Sequence, residues 1–362
     1  MRGAISALAV GLVTLAVLAV PTVGKAAVPP PLEGVPHYDH VFTIVLENEN
    51  YDATWNTPIN GQPTYLQSLR SQGAFADEYY GISHVSADNY IAMTSGQPAT
   101  PLFNTDCVNW GSCEGFEKLW PNLANPTAGA RSIADQVEDA GHTWKAYMDS
   151  MGTPCLHGPQ TGSDPHQTGY ATRHNPFVYY PAIVENAARC NSHVVDYSAL
   201  ATDLASESTT PSYAFITPDT CHDGHDAPCV APEAGQPGGL ISANAWLATE
   251  VPKILSSPAF TTKGKHSLLM ITFDENGFSD VAGCCGALSG TVGLTNATSA
   301  LALGGRIGLV ALGSGVKAGK VVHTTYDHWS YLRTVEDALG IGEHLNLSGL
   351  PTTPAMADVV TP

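Results

Sequence analysis

Basic residues are scarce in this chain: 15 Lys and Arg stand against 33 Asp and Glu, a formal net charge of −18. So acidic a surface argues against nucleic acid and anionic membranes as default partners, since both require a cationic face. No apolar run beyond the N-terminal one is long enough to span a bilayer, so stable membrane insertion is not expected. None of the eight cysteines forms a CxxC pair, which removes the common zinc spacing, and none precedes Cys107, which removes a lipid-modified N-terminal cysteine. Charge runs, repeats and low-complexity linkers are missing too, so nothing marks a domain boundary.

What is present begins with a leader. Arg2 opens a positive start, an apolar run extends from about Ala4 to Val23, and Gly24-Lys25-Ala26 offers a small-residue cleavage site before Ala27. The expected organisation is a signal peptide over residues 1–26 and one large domain over 27–362, exported from the cell. Loss of Arg2 and Lys25 with the leader takes the formal charge from −18 to −20. Eight cysteines fit an oxidising destination. Cys107 with Cys113 and Cys221 with Cys229 are spaced for short-range bridges, and Cys155 with Cys190 is a third pairing. Cys284 and Cys285 either bridge each other or pair elsewhere.

Short apolar runs at Val41 to Leu46, His142 to Tyr147, Tyr213 to Ile216, Leu268 to Phe273 and Ile307 to Leu312 read as buried parallel strands. Helical signals separate them: the box Ser132-Ile-Ala-Asp135 opens a helix ending near Gly141, and Ile241 to Leu255 and Tyr331 to Leu339 carry helical periodicity. The alternation predicts an α/β fold with a mainly parallel central sheet. Asn276 to Gly305, rich in small residues and nearly uncharged, reads as a long loop or hairpin near the site.

Several of these strands run straight into chemistry. Val41 to Leu46 leads into Glu47-Asn48, Leu268 to Phe273 into Asp274-Glu275, and Tyr213 to Ile216 through Thr217-Pro218 into Asp219-Thr-Cys-His-Asp223-Gly-His225-Asp226. Ligands of open α/β sheets bind beyond the carboxyl ends of the strands, so three strands would deliver these groups to one edge. A single strand-end acid is usually a turn or cap residue, whereas gathered carboxylates repel unless a cation relieves them. Glu47, Asn48, Asp274 and Glu275 offer only oxygen ligands, the set a hard divalent metal takes.

The segment Gly81-Ile-Ser-His84-Val-Ser86-Ala-Asp88-Asn89 places Ser86 at a helix start. The ordinary use of Ser there is an N-cap. The alternative is a hydroxyl held for attack where unpaired N–H groups and the helix dipole favour an anion. His84, His174, His225 and His328 could donate to phosphate oxygens, protonate a leaving alcohol or ligate a second metal. Arg173 suits bidentate phosphate contact, or else forms a surface ion pair.

Taken in order, these motifs resemble the bacterial phosphoesterase family of secreted acid phosphatases and phospholipases C, within the alkaline-phosphatase-like superfamily. The resemblance runs from about His40 to Leu339 and rests on Glu47-Asn48, Ser86 with Asn89 three residues on, Arg173-His174-Asn-Pro, Asp223-Gly-His225-Asp, Asp274-Glu275 and Asp-His328-Trp-Ser. It implies the superfamily's α/β sandwich, with helices on both faces of the sheet. It implies that Glu47, Asn48, Asp274 and Glu275 hold a divalent metal that also contacts Ser86. Ser86 would then form a phosphoseryl intermediate, and Asn89 would contact the phosphoryl group. Asp223, His225 and His328 match second-metal positions of two-metal members, leaving one or two ions open, and His84, Arg173 and His174 would bind phosphate or assist proton transfer. The chain departs from the family at Asp88 and Val85, where proline is common. The expected substrate is a phosphate ester, of a small molecule or a lipid. The expected activity is a secreted, metal-dependent phosphomonoesterase. A phospholipase C-like phosphodiesterase and a catalytically silent phosphate- or metal-binding protein are the competing readings.

Overall fold

The computed structural model describes residues 32–99, 106–107, 113, 130–158, 168–230, 232–277, 280 and 303–361. The leader, Cys284, Cys285 and most of the small-residue stretch between Asn276 and Gly305 lie outside them.

Eight strands form the main sheet: β1 (His40–Leu46), β2 (Ala74–Ala76), β4 (Trp144–Met148), β5 (Val194–Asp196), β6 (Tyr213–Thr217), β7 (Ser267–Phe273), β8 (Leu309–Gly313) and β9 (Lys320–Val322). Their order is β5-β4-β6-β1-β7-β8-β2-β9. Every residue of β1, β6 and β7 is buried, which is why these strands read as unbroken apolar runs rather than alternating ones. A separate parallel pair joins β3 (Tyr79–Tyr80) to β10 (Tyr326–Asp327).

The sheet is mainly parallel, with one correction to the sequence reading. β8 runs antiparallel to both β7 and β2, although its apolar run was expected to be a parallel strand. A buried run records that both faces are covered and carries no information about direction. The three-residue strands β2, β5 and β9 were missed because they are too short to show a period.

Helices pack on both faces, as two adjacent residues of β1 demonstrate. Phe42 meets the ring of Phe260 on one side, at 5.6 Å between centroids. Thr43 Oγ1 is 2.7 Å from the hydroxyl of Tyr331 on the other. Successive strand residues point to opposite faces. Helices α1 (Ser86–Ser95) and α4 (His328–Ala338) share the Tyr331 side, since Tyr90 of α1 sits edge-on to Phe215, the register partner of Thr43. The capping box at Ser132 and Asp135 opens α2 (Ile133–Asp139), and α3 (Gly239–Leu255) follows the predicted periodic stretch.

Candidate functional site

β1 and β7 are paired along their whole lengths, so they end together, with Leu46 opposite Phe273. The chain then continues in both strands as acid. Asp274 N donates to Leu46 O at 2.9 Å, and Glu47 N donates to Asp223 O at 2.8 Å, which draws the loop after β6 to the same edge. Glu47, Asp223, Asp274 and Glu275 are all buried to 2 % exposure or less. Asn48 turns the chain out of β1 at φ 23°, a region Asn tolerates better than most residues. Its N–H donates to Asp274 Oδ1 at 2.9 Å and its Nδ2 to Glu275 Oε1 at 3.1 Å. Gly81 is required behind this cluster, because a Cβ there would lie 2.8 Å from Asp274 O.

Ser86 is the first residue of α1, and Val85 occupies the N-cap in extended conformation without a side-chain cap. The serine hydroxyl therefore does no capping. It donates to Glu47 Oε1 at 2.5 Å. Asn89 holds the approach to this helix: its Oδ1 accepts from Ile82 N at 2.8 Å and Ser83 N at 3.2 Å, and its Nδ2 donates to Ser83 O and Val85 O. The same Nδ2 lies 3.2 Å from Glu275 Oε2. Asp88 is buried and accepts from Ser83 Oγ at 3.2 Å.

On its far side Glu47 meets His174. His174 Nε2 lies against Glu47 Oε2, and Tyr90 stacks on the imidazole at 5.4 Å with an interplanar angle of 18°. Two short 3-10 turns, Thr172–His174 and Pro176–Tyr179, carry this segment. Arg173 Nε pairs with Asp106 Oδ2 at 2.9 Å, and Asp106 Oδ1 accepts from Ala87 N in the first turn of α1 at 3.1 Å. Asp106 had no distinguishing sequence pattern and went unnoticed.

Two groups of ligand atoms result. Glu47, Asp274 and Glu275 form one; Glu47, His174 and Asp223 form the other. In each, the ligand atoms lie within 4.8 Å of one another. Asp274 Oδ2 and Asp223 Oδ2 are buried without a hydrogen-bond partner among the described residues. Two like charges about 5 Å apart at an effective dielectric of about 20 repel by roughly 3 kcal/mol. Burial, with the Glu47 charge beside them, accordingly pushes the carboxyls of Asp223 and Asp274 well above the ordinary range, and burial with Asp274 and Glu47 does the same to Glu275. Burial opposes ionisation of Glu47 as well, but His174, with Arg173 beyond it, outweighs burial and holds Glu47 below the usual carboxylate range.

The remaining histidines stand apart from both groups. His84 is buried, with Nε2 2.8 Å from Asp280 O, and burial lowers its pKa. His225 is exposed, its Nδ1 3.1 Å from Asn48 O. His328, the first residue of α4, places Nε2 2.5 Å from Asp274 O and Nδ1 2.8 Å from the Tyr79 hydroxyl, and burial lowers its pKa to about 4. Of the residues expected as a second metal set, only Asp223 thus joins a ligand group, and His174 is the histidine found beside it.

Residues 59–342 match the profile of the Phosphoesterase family. Ser86, Asn89, Arg173, His174, Asp223, Asp274, Glu275 and His328 fall within that match, and Glu47 and Asn48 precede it. A probable acid phosphatase of Kluyveromyces lactis is 26% identical over 311 residues, 85% of this chain and 60% of that protein. A phosphatidylinositol-3-phosphatase of Mycobacterium tuberculosis is 27% identical over 273 residues, 75% of this chain and 73% of its own. The matches reach 46% of an Aspergillus fumigatus acid phosphatase, so the chain spans about half the length of several curated relatives. Among solved structures, a protein of the alkaline phosphatase superfamily from Vibrio parahaemolyticus shares the fold, with a TM-score of 0.53 at 10% identity over 91% of this chain and 75% of its own.

Proposed function

The chain belongs to the Phosphoesterase family, and from that premise we propose that it is a secreted, metal-dependent phosphomonoesterase working through a phosphoserine at Ser86. The observation that carries the reading is the 2.5 Å contact of Ser86 Oγ with Glu47, at the head of a helix that the serine does not cap. The named relatives, acid phosphatases and a phosphatidylinositol phosphatase, support a phosphate monoester of a small molecule or lipid as substrate. Three disulfides, Cys107–Cys113, Cys155–Cys190 and Cys221–Cys229, support an oxidising destination, as does the leader-like N-terminus. Among the described residues no helix is long and apolar enough to cross a membrane.

A hard divalent cation fits the donor set. Glu47, Asp274 and Glu275 supply closely spaced oxygens, Asn48 adjoins them, and one Asp274 oxygen is buried without a partner among the described residues. When bound, such an ion would supply positive charge to a phosphoryl oxygen and to the attacking oxygen. Ser86 Oγ, oriented by its hydrogen bond to Glu47, attacks phosphorus as the P–O bond to the leaving alcohol breaks, and the serine proton ends on the departing alkoxide. Arg173 binds the phosphoryl oxygens, and His84 binds them or moves a proton to the departing alkoxide. Water then cleaves the phosphoserine and releases inorganic phosphate. Asn89 acts from its place behind the loop, fixing residues 82–85.

Purified protein assayed with an aryl phosphate and an aryl phosphocholine, with and without chelator, tests this. Hydrolysis of the monoester alone, lost with chelator and reduced at least about a thousand-fold in Ser86→Ala, is the expected result. Preferential cleavage of the phosphocholine diester would favour the phospholipase C-like reading. Cleavage of neither substrate with any divalent metal would leave a silent binding protein.

A further inference from the structure

One short turn brackets the nucleophile from two sides. In the 3-10 turn Thr172–His174, His174 lies against Glu47, the acceptor of the Ser86 hydroxyl, and the residue before it, Arg173, pairs with Asp106. Asp106 in turn accepts from the N–H of Ala87, the residue next to Ser86. Its two carboxylate oxygens are divided: Oδ1 takes the Ala87 N–H at 3.1 Å, and Oδ2 lies 2.9 Å from Arg173 Nε. Arg173 is thereby held at the same end of α1 as the serine, through a residue that the proposed reaction does not use.

Both ends of this link are constrained. Asp106 directly precedes Cys107, which is bridged to Cys113, and both cysteines are buried. The Arg173 side chain is 10 % exposed, so its guanidinium has little solvent to turn into. A guanidinium is a rigid planar fork, and a partner at Nε fixes its plane and with it the directions of the terminal nitrogens. Burial disfavours the Arg173 charge, and the carboxylates around it more than offset that, Asp106 first, then Glu47, Asp223 and Asp226. Without Asp106 the strongest remaining pull is toward Glu47, the acceptor that Ser86 uses.

Resting on the phosphomonoesterase reading, we propose that Asp106 is a positioning residue for the phosphate site: it aims Arg173 at the phosphoryl group attacked by Ser86 and keeps that guanidinium off the acidic cluster. Asp106 touches no reacting atom, and its effect passes through Arg173. The opposite role for the same carboxylate is to sit where a phosphoryl oxygen would go, as an internal competitor. A bound oxyanion takes two parallel N–H bonds from a guanidinium. Asp106 instead commits one oxygen to the helix, which suits a brace between helix and arginine. The two roles have opposite signs: removing a brace weakens phosphate binding, and removing a competitor tightens it.

The test is a double-mutant cycle with two readouts, kcat/KM for an aryl phosphate and calorimetric affinity for inorganic phosphate. It uses wild type, Asp106→Ala, Asp106→Asn, Arg173→Ala and the combination of Arg173→Ala with each Asp106 variant. Asp106→Asn keeps an acceptor for Ala87 N and removes the charge, so it serves if the alanine variant fails to fold. With Arg173 present, each Asp106 variant should lower kcat/KM and phosphate affinity about ten-fold or more; beside Arg173→Ala the same change should cost less than about two-fold. Equal losses in the two backgrounds, or Asp106→Asn equal to wild type, overturn the assignment while the phosphatase reading stands. Tighter phosphate binding in an Asp106 variant overturns it in favour of the internal competitor. Wild type that hydrolyses no monoester sinks the phosphatase reading, and the phosphate titration then decides the role of Asp106: a loss confined to proteins that retain Arg173 upholds it, and any other pattern overturns it.

Discussion

A serine at a helix start can cap the helix or keep its hydroxyl for something else, and here the residue before it decides. Val85 takes the N-cap, so Ser86 is helical and its Oγ reaches Glu47. No sequence pattern separates these two cases, because Ser is favoured at the cap and tolerated one position later. Asp88 was legible as a departure from the family pattern, but its direction was not: its carboxylate takes the Ser83 hydroxyl, inside the loop. Glu47 is the residue that joins the hydroxyl, His174 and three neighbouring acids, Asp223, Asp274 and Glu275. Glu47→Gln keeps an oxygen for Ser86 and removes the charge. Divalent-cation affinity, measured by calorimetric titration, should weaken at least about ten-fold in this variant, and turnover should fall with it. Unchanged affinity would remove Glu47 from the proposed ligand set. His174 beside Glu47, in place of His225 or His328, was beyond sequence reasoning because the contact depends on how two 3-10 turns fold back.

Among the elements, the long buried strands and the capped helix α2 were readable because their signals are local and repeated. Direction and short edges were not, as β8 and the three-residue strands show. α4 begins three residues before its periodic stretch, at His328, because Asp327 caps it by accepting from Trp329 N and Ser330 N. α1 ends at Gly96, whose φ of 67° is left-handed and whose added Cβ would lie 2.2 Å from Leu345 O. Backbone conformation and close approach both demand glycine there. Gly96→Ala should therefore destabilise the protein by more than about 1 kcal/mol, read as a lower midpoint in urea with an unchanged slope. A midpoint equal to wild type would mean that the segment at Leu345 moves aside freely. Because α1 carries Ser86 at its other end, the variant also reports whether that segment positions the hydroxyl.

For the molecule as a whole, one buried acid ties the C-terminal segment to the body. Glu336 of α4 accepts from Leu345 N at 2.8 Å and from Ser348 Oγ at 2.9 Å, next to the segment that closes over Gly96. Burial raises its pKa from 4.5 to about 8. A carboxyl with a raised folded-state pKa favours the folded protein fully below its unfolded value, and the contribution is lost as pH rises through the folded value. The Glu336 contribution thus declines between about pH 4.5 and 8. Glu336→Gln should match wild type in thermal midpoint near pH 5 and exceed it by about 2 °C or more above pH 8, measured by calorimetry. A midpoint difference that does not vary with pH would contradict this. The pairing of β1 with both β6 and β7 also sets a timetable. Its register joins His40 to Ser267 and Val41 to Tyr213, contacts of long sequence separation that form slowly. A chain emerging from the N-terminus presents Glu47 and Ser86 long before Asp223, Asp274 or Glu275 exist to meet them. The acidic centre is therefore a late product of synthesis, and a partly made chain carries Ser86 with no chemistry around it.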